Sequence, residues 1–255
     1  MTSDGEISVL RDVLRVYDQR FLDLDRSRRD RLVEATRRVL GDEDLTDAER
    51  AALPAAYRLR AFCIRHGLRD ELERMIRDEA AGRTVGAVVV GGRVYAMYPY
   101  LRGVPRQDAD ITAEIGVDHR LDTVAWQSGR LRLRGRAALE RIEARETRVD
   151  LVLRHRRTAE ECRYPAEGGD GTFDVAVPPP APGHWDVHVT ASALGLTRQA
   201  RLGPRRGPRL KPLPQRTGAA IVHYTADGHL AVLVERTERP VTLWSQLRRL
   251  LPRKR

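Results

Sequence analysis

The residues with the clearest chemical pattern form a row of arginines within the segment 129–136, Gly-Arg-Leu-Arg-Leu-Arg-Gly-Arg. As a β-strand, this segment places Leu131 and Leu133 on one face and the arginines on the other, because successive side chains of a strand point to opposite faces. The arginines of this row are Arg130, Arg132, Arg134 and Arg136. The pattern therefore predicts a cationic β-surface that can bind phosphate or carboxylate groups, since both match the two-pronged geometry of a guanidinium.

The mutual repulsion of the arginines in such a row must be offset by negative charge nearby. Neighbouring charges on one strand face lie about 6.6 Å apart, and each pair repels by about 0.6 kcal/mol in water. One source of compensation is a set of carboxylates on an adjacent strand; the candidates are Glu140, Glu143, Glu146 and Asp150. The other source is an external anionic polymer, and the sequence leaves both open.

A second candidate is the pair of carboxylates in Asp108-Ala-Asp110. Many nucleotide-sugar transferases hold a divalent cation with this spacing, because carboxylate oxygens are hard ligands. Here a segment rich in proline and arginine precedes the pair, where such an enzyme has a nucleotide-binding α/β unit. We therefore expect no metal site. A metal site formed by Asp108 and Asp110 is the alternative interpretation.

A third candidate is the strand face that carries His184, Asp186 and His188. Side chains at positions i, i+2 and i+4 of a strand share one face and can ligate zinc. Apolar residues occupy the positions between them, so an ordinary solvated face of an amphipathic strand is the simpler interpretation.

The charge of the chain is distributed unevenly. The net charge is +10, yet the first 82 residues carry 16 arginines against 18 acidic residues, so the excess belongs to the second half. This excess favours a polyanionic partner there, although only two of the 46 basic residues are lysines and a general preference for arginine is the competing explanation. Aromatic residues make up only 5% of the chain, which argues against a nucleic-acid stacking platform.

Several features of the sequence indicate the cellular compartment of the protein. Cys63 and Cys162 lie far apart, and we expect both to be reduced. No apolar run approaches the roughly 20 residues that a membrane-spanning helix needs, and the N-terminus lacks the pattern of a secretory signal. We therefore expect a cytoplasmic protein.

The elements that must position these residues fall into two zones. Apolar residues recur every three or four positions through residues 1–82, which predicts a helical domain that Gly82 closes. From Thr84 onwards the period changes to two, and short strands alternate with glycine-containing turns. This arrangement predicts an antiparallel β-sandwich over residues 84–236, opened by a hairpin, and hence an α+β protein.

The last segment, residues 237–255, predicts a short basic amphipathic helix. Its apolar and basic positions are Trp244, Leu247, Arg248, Arg249 and Leu251. This composition suits the anionic cytoplasmic leaflet, where each basic residue contributes about 1 kcal/mol. Peripheral contact with the inner face of the membrane is therefore one hypothesis, and docking on the protein itself is the other.

Two stretches of the second half carry a family resemblance: Val124-Ala-Trp-Gln-Ser-Gly-Arg-Leu-Arg-Leu-Arg-Gly135, and Gly183-His-Trp-Asp-Val-His-Val189 with Gly195 and Arg201-Leu-Gly203. Together they resemble the C-terminal, immunoglobulin-like part of actinobacterial family-2 glycosyltransferases, relatives of the enzymes that decorate wall teichoic acid. In that family a catalytic nucleotide-sugar domain is followed by a helical linker and β-sandwich modules. Residues 5–82 resemble the linker, and residues 84–236 resemble an immunoglobulin-like sandwich.

The resemblance implies a module without catalysis of its own. The catalytic domain of that family would precede residue 1, so no catalytic residue is carried over, and we expect no cofactor. The implied role is an accessory or assembly module for glycosylation of a cell-envelope polymer. Its expected partners are a separate catalytic subunit or a second copy of the chain, and the anionic polymer. The alternative is a glycosyltransferase polypeptide, whole or part of a split enzyme.

Overall fold

The computed structural model describes residues 4–83, 85–167, 169–208 and 210–236. It is an α+β protein with a β-sandwich, as the sequence predicts. The chain forms two compact units. Among the described residues, the first comprises residues 4–116, 139–144 and 193–198, and the second comprises residues 117–138, 145–192 and 199–236.

Helices dominate the first unit. In the described residues they are α1 (Asp4–Arg15), α2 (Gln19–Leu22), α3 (Arg26–Leu40), α4 (Asp47–Ala52), α5 (Ala55–Arg65), α6 (Arg69–Ala80) and α7 (Arg106–Ala109). Leu14 of α1, Tyr17 in the connection to α2 and Phe21 of α2 are all buried in the core. Thr46 and Glu49 form a capping box at the start of α4, which satisfies backbone donors that the helix leaves open.

The first unit also contains a two-stranded hairpin, β1 (Gly86–Val90) and β2 (Arg93–Met97), which turns at two glycines with positive φ. The sequence analysis grouped this hairpin with the strands of residues 84–236, and the limits of that domain stay a prediction; in the structure the hairpin lies in the first compact unit. The physical reason is a pair of backbone contacts: Ile111 N donates to Val94 O at 2.8 Å, and Val94 N donates to Thr112 Oγ1 at 2.8 Å.

The second unit is built mainly from the remaining strands. They are β3 (Val117–Gln127), β4 (Arg130–Leu139), β5 (Arg148–His155), β6 (Glu161–Pro165), β7 (Thr172–Val177), β8 (Gly183–Ala193), β9 (Leu196–Arg201), β10 (Gln215–Thr217), β11 (Ala220–Tyr224) and β12 (Leu230–Val234). One sheet has the order β3-β4-β7. The other has the order β10-β11-β12-β8-β5-β6, with β9 paired to β8.

The inward faces of these two sheets supply the sandwich core. Leu131, Leu133 and Val175 are buried on the small sheet, and Leu151 and Trp185 are buried on the large one. Alternation of apolar and polar residues along each strand therefore places one face against the core and turns the other outwards. Strand β10 lies at the end of a segment, residues 203–217, that is rich in arginine, proline and glycine.

Candidate polyanion-binding surface

The arginine row lies where the alternation predicts. Strand β4 is the middle strand of the small sheet, with Leu131 and Leu133 buried beneath it. The side chains of Arg130, Arg134 and Arg136 are exposed and that of Arg132 is partly exposed. The outer face of the small sheet therefore carries four guanidinium groups along one strand.

One carboxylate of the neighbouring strand β7 compensates part of this charge. Asp174 accepts from Arg132 through two bonds, Nε–Oδ1 at 2.8 Å and Nη2–Oδ2 at 2.7 Å, and its Oδ2 lies 2.8 Å from Arg134 Nε. The register explains the contact, because Arg134 is directly opposite Asp174 in the β4–β7 ladder. The hydrogen bond from Arg132 is the main cause that holds the pKa of Asp174 below its usual value.

The two ends of the row are bound differently. Arg130 donates to the backbone carbonyl of Ala176 from Nε and Nη2, at 3.2 and 2.9 Å, which fixes the guanidinium without neutralising it. Arg136 forms no ion pair with a described residue, although its charge helps to lower the pKa of Asp170, after the larger effect of hydrogen bonds from Thr172. The one carboxylate in direct contact with the row thus pairs with two of its four arginines.

The sequence analysis placed this compensation on other residues. Of its candidates, Asp150 pairs with Arg163 on the large sheet at 3.1 Å, and Glu140 lies against Gly116 in the first unit. The sequence analysis did not identify Asp174 as a partner of the row. Along β7, Asp174 lies between the buried residues Phe173 and Val175. That alternation marks Asp174 as outward-facing, but the pairing of β7 with β4 is needed to bring it to the row.

The carboxylates of the predicted metal alternative are both engaged by arginine. Asp108 is buried, and its Oδ1 lies 2.8 Å from Arg50 Nε. Asp110 Oδ2 lies 2.9 Å from Arg93 Nη1, and Asp110 Oδ1 also accepts from the backbone N–H of Thr112. Among the described residues, no group of three or more His, Cys, Asp or Glu side chains is arranged to hold a metal ion.

A buried arginine fixes the backbone of this region. The Arg58 side chain of α5 donates to three main-chain carbonyls, those of Asp108 at 3.2 Å, Arg50 at 2.7 Å and Asp110. It thereby joins α4, α5 and α7 within the first unit. The side chains and carbonyls of Asp108 and Asp110 all accept from arginines, so these two residues link α7 and its C-terminal end to α4, α5 and β2.

The strand face of β8 that suggested zinc is part of a charged network on the large sheet. Asp186 Oδ1 accepts from Arg156 Nε and from Arg201 Nη2, both at 2.9 Å. His188 is buried beneath this network, and burial, reinforced by Arg154, lowers the pKa of His188. Arg154 itself donates to Glu161 on β6 and to Gln199 on β9. This face is polar, and ion pairs within it compensate most of its charged side chains.

Both cysteines are free thiols, as predicted. Cys63 is buried among the helices, and burial raises its pKa to about 12. The predicted tail residues Trp244, Leu247, Arg248, Arg249 and Leu251 lie outside the described residues. Within the described ranges, no helix has the length and apolarity needed to span a bilayer.

Comparison with known families identifies one stretch of the chain. Residues 110–168 match the family model "TarS beta-glycosyltransferase C-terminal domain 1". The stretch includes β3–β6 and the arginine row, but it is well under half of the chain. The predicted resemblance to the C-terminal part of teichoic-acid glycosyltransferases is thus confirmed for this stretch, while the actinobacterial affiliation stays a prediction. No curated protein matches the chain.

Two solved structures align with the chain at low identity. The crystal structure of S. aureus TarS has a TM-score of 0.40 at 12% identity, covering 91% of this chain and 48% of TarS. The crystal structure of S. aureus TarS 217–571 has a TM-score of 0.47 at 13% identity, covering 91% of this chain and 76% of the other. The chain therefore spans about half of the first of these proteins.

Proposed function

We propose that this chain is a non-catalytic accessory or assembly module for the glycosylation of an anionic cell-envelope polymer, and that the outer face of β4 holds that polymer. The observation that supports the proposal most is the shortage of carboxylates at the arginine row. Asp174 is shared by Arg132 and Arg134, whereas the guanidinium of Arg130 is bound to a neutral carbonyl. Uncompensated positive charge on a rigid strand attracts phosphates, and each guanidinium offers them a two-pronged donor.

The family match supports the proposed role as an accessory module of glycosylation. Residues 110–168 are similar to a C-terminal domain of a glycosyltransferase, and the row lies inside that range. A module of this kind acts beside a catalytic domain, so we propose a separate catalytic subunit or a second copy of the chain as its protein partner. We further propose a cytoplasmic location, with residues 237–255 as the segment that contacts the inner face of the membrane.

The experiment measures retention of full-length protein on a teichoic-type polymer and on heparin as salt is raised. Arg132→Glu with Arg134→Glu reverses the charge in the middle of the row, and we expect earlier elution from both matrices. Because a glutamate at position 132 would face Asp174, a second variant, Arg130→Gln with Arg136→Gln, removes the charges that have no ion pair while leaving that contact intact.

The matched control is Arg145→Glu with Arg148→Glu. Both residues are exposed in the same unit and lie off the row, and the change in net charge equals that of the first variant. Polymer retention that is as strong in both row variants as in the control would overturn the role of the row. Losses that follow the change in net charge alone, equal in the two Arg→Glu pairs and about half as large in Arg130→Gln with Arg136→Gln, would also contradict a defined surface.

The second candidate function is that of a transferase polypeptide, which the similarity to part of a glycosyltransferase favours. Calorimetry with a uridine nucleotide and Mn²⁺ separates the two functions. Binding that Asp108→Asn and Asp110→Asn abolish would select the enzyme. If calorimetry shows only the heat of dilution while the protein is retained on the polymer, the result would select the accessory module.

A further inference from the structure

A groove of about 690 Å³ lies at one end of the large sheet, within the second unit. The loop after β5, the start of β8 and the end of β12 line it. Its polar lining residues are His155, Arg156, Arg157, His184, Glu235 and Arg236. None of these belongs to the arginine row, and of them the sequence analysis considered only His184, as part of a strand face that could ligate zinc.

The base of the groove presents a fixed donor. His155 is 9% exposed, and its ring packs edge-on against Trp185 with the centroids 4.9 Å apart. The backbone N–H of Thr158 donates to His155 Nδ1 at 3.1 Å, so Nδ1 is an acceptor and the neutral ring carries its proton on Nε2. Among the described residues, Nε2 has no hydrogen-bond partner.

The backbone of Gly183 packs against the Nε2 edge of this ring. A Cβ at position 183 would lie 2.2 Å from His155 Nε2 and 2.7 Å from Cδ2, well inside van der Waals contact. Thr158 and Trp185 hold the imidazole from two other sides. The absence of a side chain at Gly183 therefore allows the imidazole to take its place in the groove lining, and any side chain there would displace it.

The charge around the groove is positive and largely available. Arg157 and Arg236 form no ion pair with a described residue, and His184 is exposed. Arg156 is paired with Asp186 at 2.7 Å, and the acidic lining residue Glu235 is itself neutralised by Arg216 at 2.7 Å. A ligand in the groove thus meets two guanidinium groups that form no ion pair with a described residue, and the Nε2–H group of His155 in the lining.

We infer that this groove binds a phosphate group, with His155 Nε2–H as the donor at its base and Arg157 and Arg236 as the charged partners. A tetrahedral oxyanion fits this set because it offers several acceptor oxygens to donors that converge from different directions, and guanidinium binds phosphate in a two-pronged manner. The inference is independent of the arginine row.

The test follows the imidazole of His155 directly. Full-length protein labelled with ¹⁵N at histidine is titrated with inorganic phosphate, and the nitrogen shifts of His155, assigned by their loss in His155→Gln, report occupancy. We expect a saturable shift at Nε2. The variant Arg157→Gln with Arg236→Gln should weaken binding by about tenfold or more, because both charge-assisted contacts are lost.

The control is Arg148→Gln, an exposed arginine at the opposite end of the strand β5 that ends at His155. It should bind phosphate as the unmodified chain does. Since all three arginines are exposed, thermal unfolding of the variants should be unchanged. Phosphate that leaves His155 unperturbed while shifting other histidines, or equal affinity in the double variant and the control, would overturn the inference.

A second titration identifies the source of the phosphate. A teichoic-type phosphodiester polymer replaces inorganic phosphate, and affinities are compared per phosphate. Tighter binding of the polymer would identify the groove as a polymer subsite, whereas equal affinities would identify a site for a free or terminal phosphate. Because the arginine row is unchanged in these proteins, loss of the groove signal leaves the retention experiment on the row to be judged separately.

Discussion

Arg132 and Asp174 form a two-pronged ion pair across strands β4 and β7, with both nitrogen–oxygen distances below 3 Å. The same carboxylate reaches Arg134, so one acidic side chain restrains two neighbouring members of the row. Asp174 is therefore an internal competitor for any anion that this face binds. Its removal is a more direct probe of the surface than the removal of an arginine.

Asp174→Asn should strengthen binding of anionic polymers. The change frees the Arg132 and Arg134 guanidinium groups while keeping a side chain of the same size, and we expect a gain in heparin affinity of about threefold or more at low salt. The matched control is Asp150→Asn, which changes the net charge equally but releases Arg163 on the large sheet. Equal gains in the two variants, measured by elution salt, would show that the position of the charge is irrelevant.

Gly135→Ala should destabilise the second unit. A Cβ there would lie 2.1 Å from the backbone oxygen of Arg120 and 2.7 Å from Phe173 Cζ, so strands of the small sheet must move apart. We expect a loss of about 2 kcal/mol or more in the free energy of unfolding. Gly169→Ala is the control, because no atom lies within 4 Å of the added carbon, and its effect should stay within about 0.5 kcal/mol.

Urea unfolding measures both glycine variants. If Gly135→Ala and Gly169→Ala have the same midpoint, the close approach of the strands at Gly135 is not a constraint on the fold. A selective loss at Gly135 would also explain why the alternating row contains a glycine where a leucine would continue the pattern.

The stability of the protein should fall as the pH drops from 7.5 to 5.5, in part because of His188. Burial first, and then Arg154, lowers the pKa of its ring below the usual 6.5. The unfolded chain takes up the proton near pH 6.5 while the folded chain still excludes it. The stabilisation is therefore complete above about pH 6.5 and is lost as the pH falls towards the folded pKa, at a slope of at most about 1.4 kcal/mol per pH unit.

His188→Gln should flatten this pH dependence, since the side chain at position 188 then has no proton to bind. Chemical unfolding at several pH values compares the slopes of the two proteins. Parallel curves would assign the acid sensitivity to other groups and contradict a depressed pKa for His188.

Local patterns were sufficient to predict much of this structure. The period-two alternation correctly oriented Leu131 and Leu133 inwards, and the hairpin predicted at the start of the β-region is present as β1 and β2. The Thr46–Glu49 capping box also lies where its spacing predicts. These features depend on residues that are close in sequence, so propensity and periodicity determine them.

Features that depend on strand neighbours were not predictable in this way. The contact of Asp174 with the row requires β7 to pair with β4 across more than thirty residues, and nothing in either strand specifies that choice. Similarly, His155 acquires its fixed proton position only from the loop contact with Thr158 and the ring of Trp185. The place of the β1–β2 hairpin in the first unit likewise depends on distant residues, because Val94 is bound by Ile111 and Thr112 from a later part of the chain.

The close contact between Gly183 and the ring of His155 has an evolutionary consequence. Position 183 can accept a larger amino acid only where position 155 carries a smaller one, so the two sites are coupled in their substitutions. In homologous chains we expect the glycine and the imidazole to be retained together or replaced together, and such covariation would trace how far the groove extends through the lineage.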